Sequence, residues 1–327
     1  MSIDNIHASI LVGNICGAEG EPSAEGLFFG ETNIAPKCSS SNFIPGVAFR
    51  MAHILHLPES KPTDDAITRE IKLRTWWSLY MIDQWSSAGL NIHKQIHDDH
   101  YPLPMLETEF WSLHPGEARE TPTAPKKPGL WGYMVILARL FGDIQDLHQR
   151  LATGVLDERS AESTTQKLSI EFERFFQNLP KYLHFTMENL EQQVTAGLGR
   201  AFVALHLGSH HYATLLYFPY FDIQLAQTPS RDIFVARCKY HAASFSDLLR
   251  TSHETSDCEA VYLIVAHMAV VSSSALLHTL LFGNQNELPD ARKRLYSNFE
   301  ILVKMKEYWP GVDLMVRSSS AFFAIID

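Results

Sequence analysis

A chain of 327 residues that is 46% hydrophobic and 11% aromatic has enough apolar material for one large core or two fused ones, which excludes a disordered chain. With 27 Lys and Arg against 37 Asp and Glu, a formal charge of −10, it lacks the cationic surface on which duplex binding depends. Cys16, Cys38, Cys238 and Cys258 form no CxxC pair, so neither a zinc knuckle nor a disulfide framework can be drawn, and a reduced intracellular protein is expected.

Residues 1–30 read as an N-terminal helical part of the domain, with an apolar stretch from Ile10 to Ile15. Residues 31–46, ETNIAPKCSSSNFIPG, break the pattern as a polar insert. Deleting them would join GLFFG to VAFRMAHILHL as one amphipathic helix. Two readings stand: a surface loop, or a retained intron of 16 codons, that is 16 × 3 = 48 nucleotides, whose ends fit a GTGAG start and a CAG finish.

Residues 47–113 begin with a short helix carrying Val47, Met51, Ile54 and Leu55 on one face and closed by Pro58. The next helix is predicted over Asp65 to Ser87, with Asp64 and Asp65 at the end where negative charge is favourable and Gly89 beyond it. Arg69, Lys72, Asp83 and Gln84 on it are expected to reach water or partners. The stretch HKQIHDDHYPLPMLETEFW has no helical period, and Pro102 and Pro104 force extended backbone there. Residues 114–130, with Pro115, Pro122, Pro125 and Pro128, read as a Pro-rich loop.

Residues 131–327 form the C-terminal helical part, with helices predicted at Trp131 to Leu151, Ser160 to Leu179, Leu198 to Tyr217, Arg231 to Thr251, Glu259 to Leu281 and Leu288 to Tyr308. Those near 200–217 and 260–281 are apolar on nearly every side, which predicts two buried central helices. No alternating strand pattern and no repeat of fixed period is present. The expected fold is all-α, a large irregular multi-helix array. No apolar run approaches the roughly 20 residues of a bilayer span, and no basic stretch leads into an apolar one at the N-terminus, so no membrane association is expected.

Several separated motifs carry a resemblance to one family. Ala48, Arg50, Met51, Ala52, Leu55 and Leu57 resemble the A-x-R-M-A-x-x-L-x-L helix of the fungal-specific transcription factor domain, the regulatory middle region of binuclear zinc-cluster activators. Arg74, Trp76, Trp77, Tyr80 and Asp83 resemble its R-x-W-W-x-x-Y-x-x-D signature. Gly89, Ile96, Asp98 and the Y-P-L-P element Tyr101, Pro102, Leu103, Pro104 are similar to the segment that follows. The resemblance extends through residues 199–222 to Tyr308, Trp309 and Pro310. Gln84 departs from it where a basic residue is common, and His56 where a small residue is usual.

The resemblance implies a nuclear, non-enzymatic regulatory domain that senses effectors or partners. The family's zinc ions belong to a six-cysteine DNA-binding module that these residues do not contain, so no cofactor and no direct DNA binding are expected of them. Implied partners are a homo- or heterodimer with zinc-cluster factors and a small-molecule effector. The alternative is a stand-alone small-molecule-binding protein or secondary-metabolism enzyme recruited from this fold, with an apolar cavity between the two buried helices.

Six residues on one predicted helix, Arg74, Trp76, Trp77, Tyr80, Asp83 and Trp85, together with His206 and His210, are candidates for a pocket or regulatory surface. Their spacing also suits plain core for the aromatics and an ion pair or cap for Arg74 and Asp83. His206 and His210, at i and i+4, have the spacing of two metal ligands, but no glutamate lies between them, and core histidines bonded to neighbours are the favoured reading. His93, His97, Asp98, Asp99 and His100 are ligand types in a cluster that otherwise reads as a solvated loop. No G-x-S-x-G elbow, phosphate-cradling glycine loop or Cys–His arrangement points to catalysis.

Overall fold

The computed structural model describes residues 2–19, 22–29, 46–90, 93–97, 101–116, 128–222, 228–313 and 315–317. Every regular element among them is helical. Two compact units emerge, Met1–Arg139 and Leu140–Asp327, and the division falls inside a continuous helix, α6 (Leu130–Ala152). The insert at 31–45, Asp98 to His100 and most of the Pro-rich loop lie outside the described residues.

The first unit contains α1 (Ile3–Ala18), α2 (Pro22–Phe29), α3 (Val47–Ile54), α4 (Ala66–Leu90) and α5 (Glu107–Trp111). A Cβ at Gly13 would collide with the Phe29 ring, so the glycine is what lets α1 and α2 close on each other. The start of α4 is capped by Asp65, which accepts from the Thr68 amide at 2.8 Å. Asp64 instead reaches Lys72 at 2.5 Å. Around α4 lies a core of Ile6, Phe29, Phe49, Trp77, Leu79 and Val135. The helix is enclosed on most sides, so Lys72, Asp83 and Gln84 are buried, and their polar atoms depend on protein partners rather than water.

The second unit contains α7 (Glu158–Asn178), α8 (Met187–Thr195), α9 (Gly199–Tyr217), α10 (Arg231–Glu254), α11 (Leu263–Phe282) and α12 (Leu288–Met305). The predicted helices are present with ends displaced by a few residues. Tyr262 is extended, with φ −69° and ψ 138°, so α11 starts later than the apolar run does. Two helices went unanticipated. α5 has five residues, too few to show a period. α8 buries only Leu190, and its local signal is a cap in which the Thr186 hydroxyl accepts from the Asn189 amide at 3.1 Å.

The two apolar helices differ. α9 is buried around nearly its whole circumference, as expected. α11 buries one face only, leaving Ile264 45%, Leu281 55% and Phe282 73% exposed. Its 20 residues include no Asp, Glu, Lys or Arg, so by length and composition it is long and apolar enough to cross a membrane, contrary to the sequence expectation. Half of its most apolar stretch is buried within the protein, as in the core helix of a globular domain.

Candidate functional site

The signature residues of α4 meet the Y-P-L-P segment through a set of hydrogen bonds. Arg74 donates through Nε to Glu70 Oε1 at 2.9 Å and through Nη2 to the Met105 carbonyl at 2.7 Å. Glu70 Oε1 also accepts from the Met105 amide at 2.9 Å. The Arg74 guanidinium lies 4.7 Å from the centre of the Phe110 ring, so the cation faces an aromatic surface as well as a carboxylate. Trp77 donates through Nε1 to the Pro102 carbonyl at 2.9 Å. One arginine and one tryptophan, three residues apart on α4, thus hold successive points of an extended strand that has few backbone partners of its own.

Asp83 takes the other end. Its Oδ2 accepts from the Gln95 amide at 2.8 Å and the Ile96 amide at 2.9 Å. Burial pushes its pKa up, and the two amides, the Ser87 hydroxyl and nearby Lys94 act against that rise. Arg74 and Asp83 therefore have separate structural partners and do not pair with each other. Two contributors carried no motif signal, Glu70 and Glu107. Glu107 accepts from the Leu130 and Trp131 amides, each at 3.0 Å, and so caps α6 across 23 residues of sequence. Only the fold reveals such a cap, because the sequence separation hides it.

The remaining aromatics of the set are packed in the core. Trp76 makes edge contacts with His53 and Tyr101, each at 5.9 Å, and Tyr80 with Trp77 at 5.3 Å. Trp85 packs at the core's edge. The two departures from the motif also have structural settings. His56 adopts φ 53°, a left-handed backbone that favours small residues. Gln84 is buried, with no partner for Oε1 among the described residues.

In the second unit His206 and His210 do not converge on a common point. His206 donates through Nε2 to the Leu183 carbonyl at 2.9 Å. His210 faces His241, Nδ1 to Nδ1 at 3.0 Å, which requires one ring to donate and the other to accept. Burial lowers the pKa of His206 to about 4 and that of His210 to about 3, the latter helped by His241. Among the described residues no group of three or more His, Cys, Asp or Glu is arranged to hold a metal ion. His93 and His97 are exposed. Two recesses are described. One, of about 500 Å³, is lined by Phe49, Arg50, His53, Ile54, His56 and Gln95. The other, of about 370 Å³, lies between α10 and α12 beside Asp247 and Arg294. Neither is lined by the candidate aromatics, and neither lies between α9 and α11.

The described residues thus form an all-helical array in which a double-tryptophan helix holds a proline-bearing extended segment. Residues 33–185 match the family model of the fungal specific transcription factor domain. It is similar to an uncharacterized transcriptional regulatory protein of Schizosaccharomyces pombe, 22% identical over 84% of this chain and 39% of that protein. Two Zn(2)-C6 fungal-type transcription factors of Fusarium oxysporum f. sp. lycopersici, FTF2 and FTF1c, are each 24% identical over 84% of this chain, covering 28% and 33% of their own lengths. The chain thus spans roughly a third of the length of these relatives. No solved structure matches it.

Proposed function

We propose that the chain acts in the nucleus as the regulatory part of a fungal transcription regulator, without chemistry of its own and without reading DNA through these residues. The observation that carries this reading is the match over residues 33–185, within which the signature side chains Arg74, Trp77 and Asp83 bond to the Met105 carbonyl, the Pro102 carbonyl and the Ile96 amide in turn. An acidic balance of −10 supports the absence of duplex binding. Regulation in this reading passes through a partner, a zinc-cluster factor or a second copy, or through a small effector. The recess beside Phe49, Arg50 and Gln95 borders the clamp, because Gln95 donates its amide to Asp83.

The test joins the full chain to an unrelated DNA-binding module upstream of a fungal reporter and compares output with the module alone, alongside gel-shift measurements on the purified chain. The expected result is a changed output, erased by Trp77→Ala, with no shift of duplex DNA at physiological salt. Unchanged output across growth conditions, or tight DNA binding by the isolated chain, overturns the reading.

A further inference from the structure

The recess of about 500 Å³ in the first unit is built mainly by one side of α3 and the turn that ends it. Arg50, His53 and Ile54 stand at i, i+3 and i+4 on that helix, so their side chains share a face, and the buried Phe49 adds apolar wall. The helix closes with the His56 amide bonded to the His53 carbonyl at 3.0 Å and the Leu57 amide to the Ala52 carbonyl at 2.9 Å. His56 takes φ 53° in this turn, the position usually given to glycine, and its ring lines the recess. Gln95 completes the lining from the segment that Asp83 holds.

The polar groups of this recess are unspent. The Arg50 guanidinium has no ion-pair partner among the described residues, and no carboxylate is among those that line the recess with it. The His56 ring and the Gln95 side-chain amide likewise make no hydrogen bond among the described residues. His53 packs edge-on against Trp76 at 5.9 Å, and the buried Trp76 indole N–H has no acceptor among the described residues. The two bonds that close α3 occupy carbonyls that would otherwise face an anion at this helix end. Ile54, 55% exposed, and Phe49 supply apolar surface beside the donors. The volume falls within the roughly 300–1,000 Å³ of small-molecule sites.

We propose that this recess binds a small organic carboxylate carried on a flat apolar body, with Arg50 taking the charge and Ile54 and Phe49 the body. This names the chemical class of the small effector in the proposed function and rests on that reading. One guanidinium matches one carboxylate in charge and can meet both its oxygens with parallel hydrogen bonds. An imidazole always carries at least one N–H, so His53 and His56 can each add a donor. Gln95 gives the site its route to the rest of the unit: its side chain lines the recess while its backbone amide donates to Asp83 on α4 at 2.8 Å. A ligand held by Arg50 and Gln95 therefore ties α3 to the segment that α4 positions.

The test titrates the full chain with 2-naphthoate and with its neutral isostere 2-naphthamide in a calorimeter. The expected result is one naphthoate per chain with Kd below about 1 mM and an amide about tenfold weaker or more. Arg50→Gln should weaken naphthoate about tenfold and leave the amide as it was, whereas Ile54→Ser should weaken both. Both positions are exposed, so the helical circular dichroism signal should persist. Lys293→Gln makes the same change of charge at the recess between α10 and α12 and should leave binding unaltered. Equal affinity for acid and amide, no binding of naphthoate, or an equal loss in Arg50→Gln and Lys293→Gln overturns the proposal. Binding is read on the purified chain, apart from the reporter. Naphthoate binding with an unchanged reporter keeps the site and removes the regulatory reading, while a changed reporter without binding removes the site and leaves regulation to a partner.

Discussion

Trp77 donates its indole N–H to the Pro102 carbonyl at 2.9 Å from a position with no solvent exposure. Its ring lies under the Arg139 guanidinium, 5.0 Å from centroid to Cζ, and makes an edge contact with Tyr80. Replacing it with Phe removes the donor and part of the ring volume together. Trp77→Phe should cost about 2–4 kcal/mol and Trp77→Ala more, because the cavity adds to the lost hydrogen bond. Urea unfolding followed by circular dichroism measures this, and a midpoint unchanged in Trp77→Phe would show that the Pro102 contact contributes nothing.

Asp83 gives a pH-dependent prediction. Burial raises its folded pKa above the usual carboxylate value, so the native state holds this proton more tightly than the unfolded chain does. The linked stabilisation is therefore full below the ordinary carboxylate range and is lost as pH rises through the raised folded value. Asp83→Asn keeps an acceptor for the Gln95 and Ile96 amides but cannot ionise, so it should remove that part of the pH slope. Asp83→Ala leaves both amides without their partner and should cost about 2 kcal/mol or more. Urea midpoints at intervals from pH 4 to pH 7 for the three proteins separate these outcomes.

Glu107, at the start of α5, joins that helix to α6 by accepting from the Leu130 and Trp131 amides. Removing its carboxylate in Glu107→Ala should cost about 1–2 kcal/mol, the usual range for losing a helix cap. Gly129→Ala should weaken the same junction, because a Cβ there would stand 2.5 Å from Glu107 Oε2. Combining the two substitutions should cost less than the sum of the single effects, since alanine at 107 removes the two carboxylate oxygens the new Cβ meets and leaves only the contact with Leu106 Cα at 2.9 Å. Equal and additive losses would mean that the two positions act independently.

These sites differ in how far the sequence announces them. The capping aspartate before α4 and the apolar belt of α9 are local signals, and both have the expected structural roles. The Trp77–Pro102 contact and the Glu107 cap were not legible in spacing alone, since each joins residues more than 20 positions apart. The resemblance identified Trp77 and the Y-P-L-P element separately without saying that one binds the other. α11 shows the opposite limit: composition predicts burial, but one helix face can be covered only by neighbours whose position composition does not record.

The buried histidines make acid sensitivity the final expectation. The folded pKa values of His206 and His241 lie near 4, and those of His210 and His211 near 3, all lowered first by burial. Below pH 6.5 the unfolded chain gains protons at these positions while the folded chain stays neutral, so stability falls as pH drops toward 4. Each group can contribute up to about 2 kcal/mol of loss between pH 6.5 and 5, from 1.36 kcal/mol per pH unit. The His210 and His241 rings are coupled at 3.0 Å, so their titration belongs to the pair rather than to either ring. The double variant His210→Phe, His241→Phe removes two of the four groups and should flatten the fall in urea midpoint between pH 7 and pH 5, even if it lowers the midpoint at pH 7. An equally steep fall in the double variant would assign the acid sensitivity to other groups.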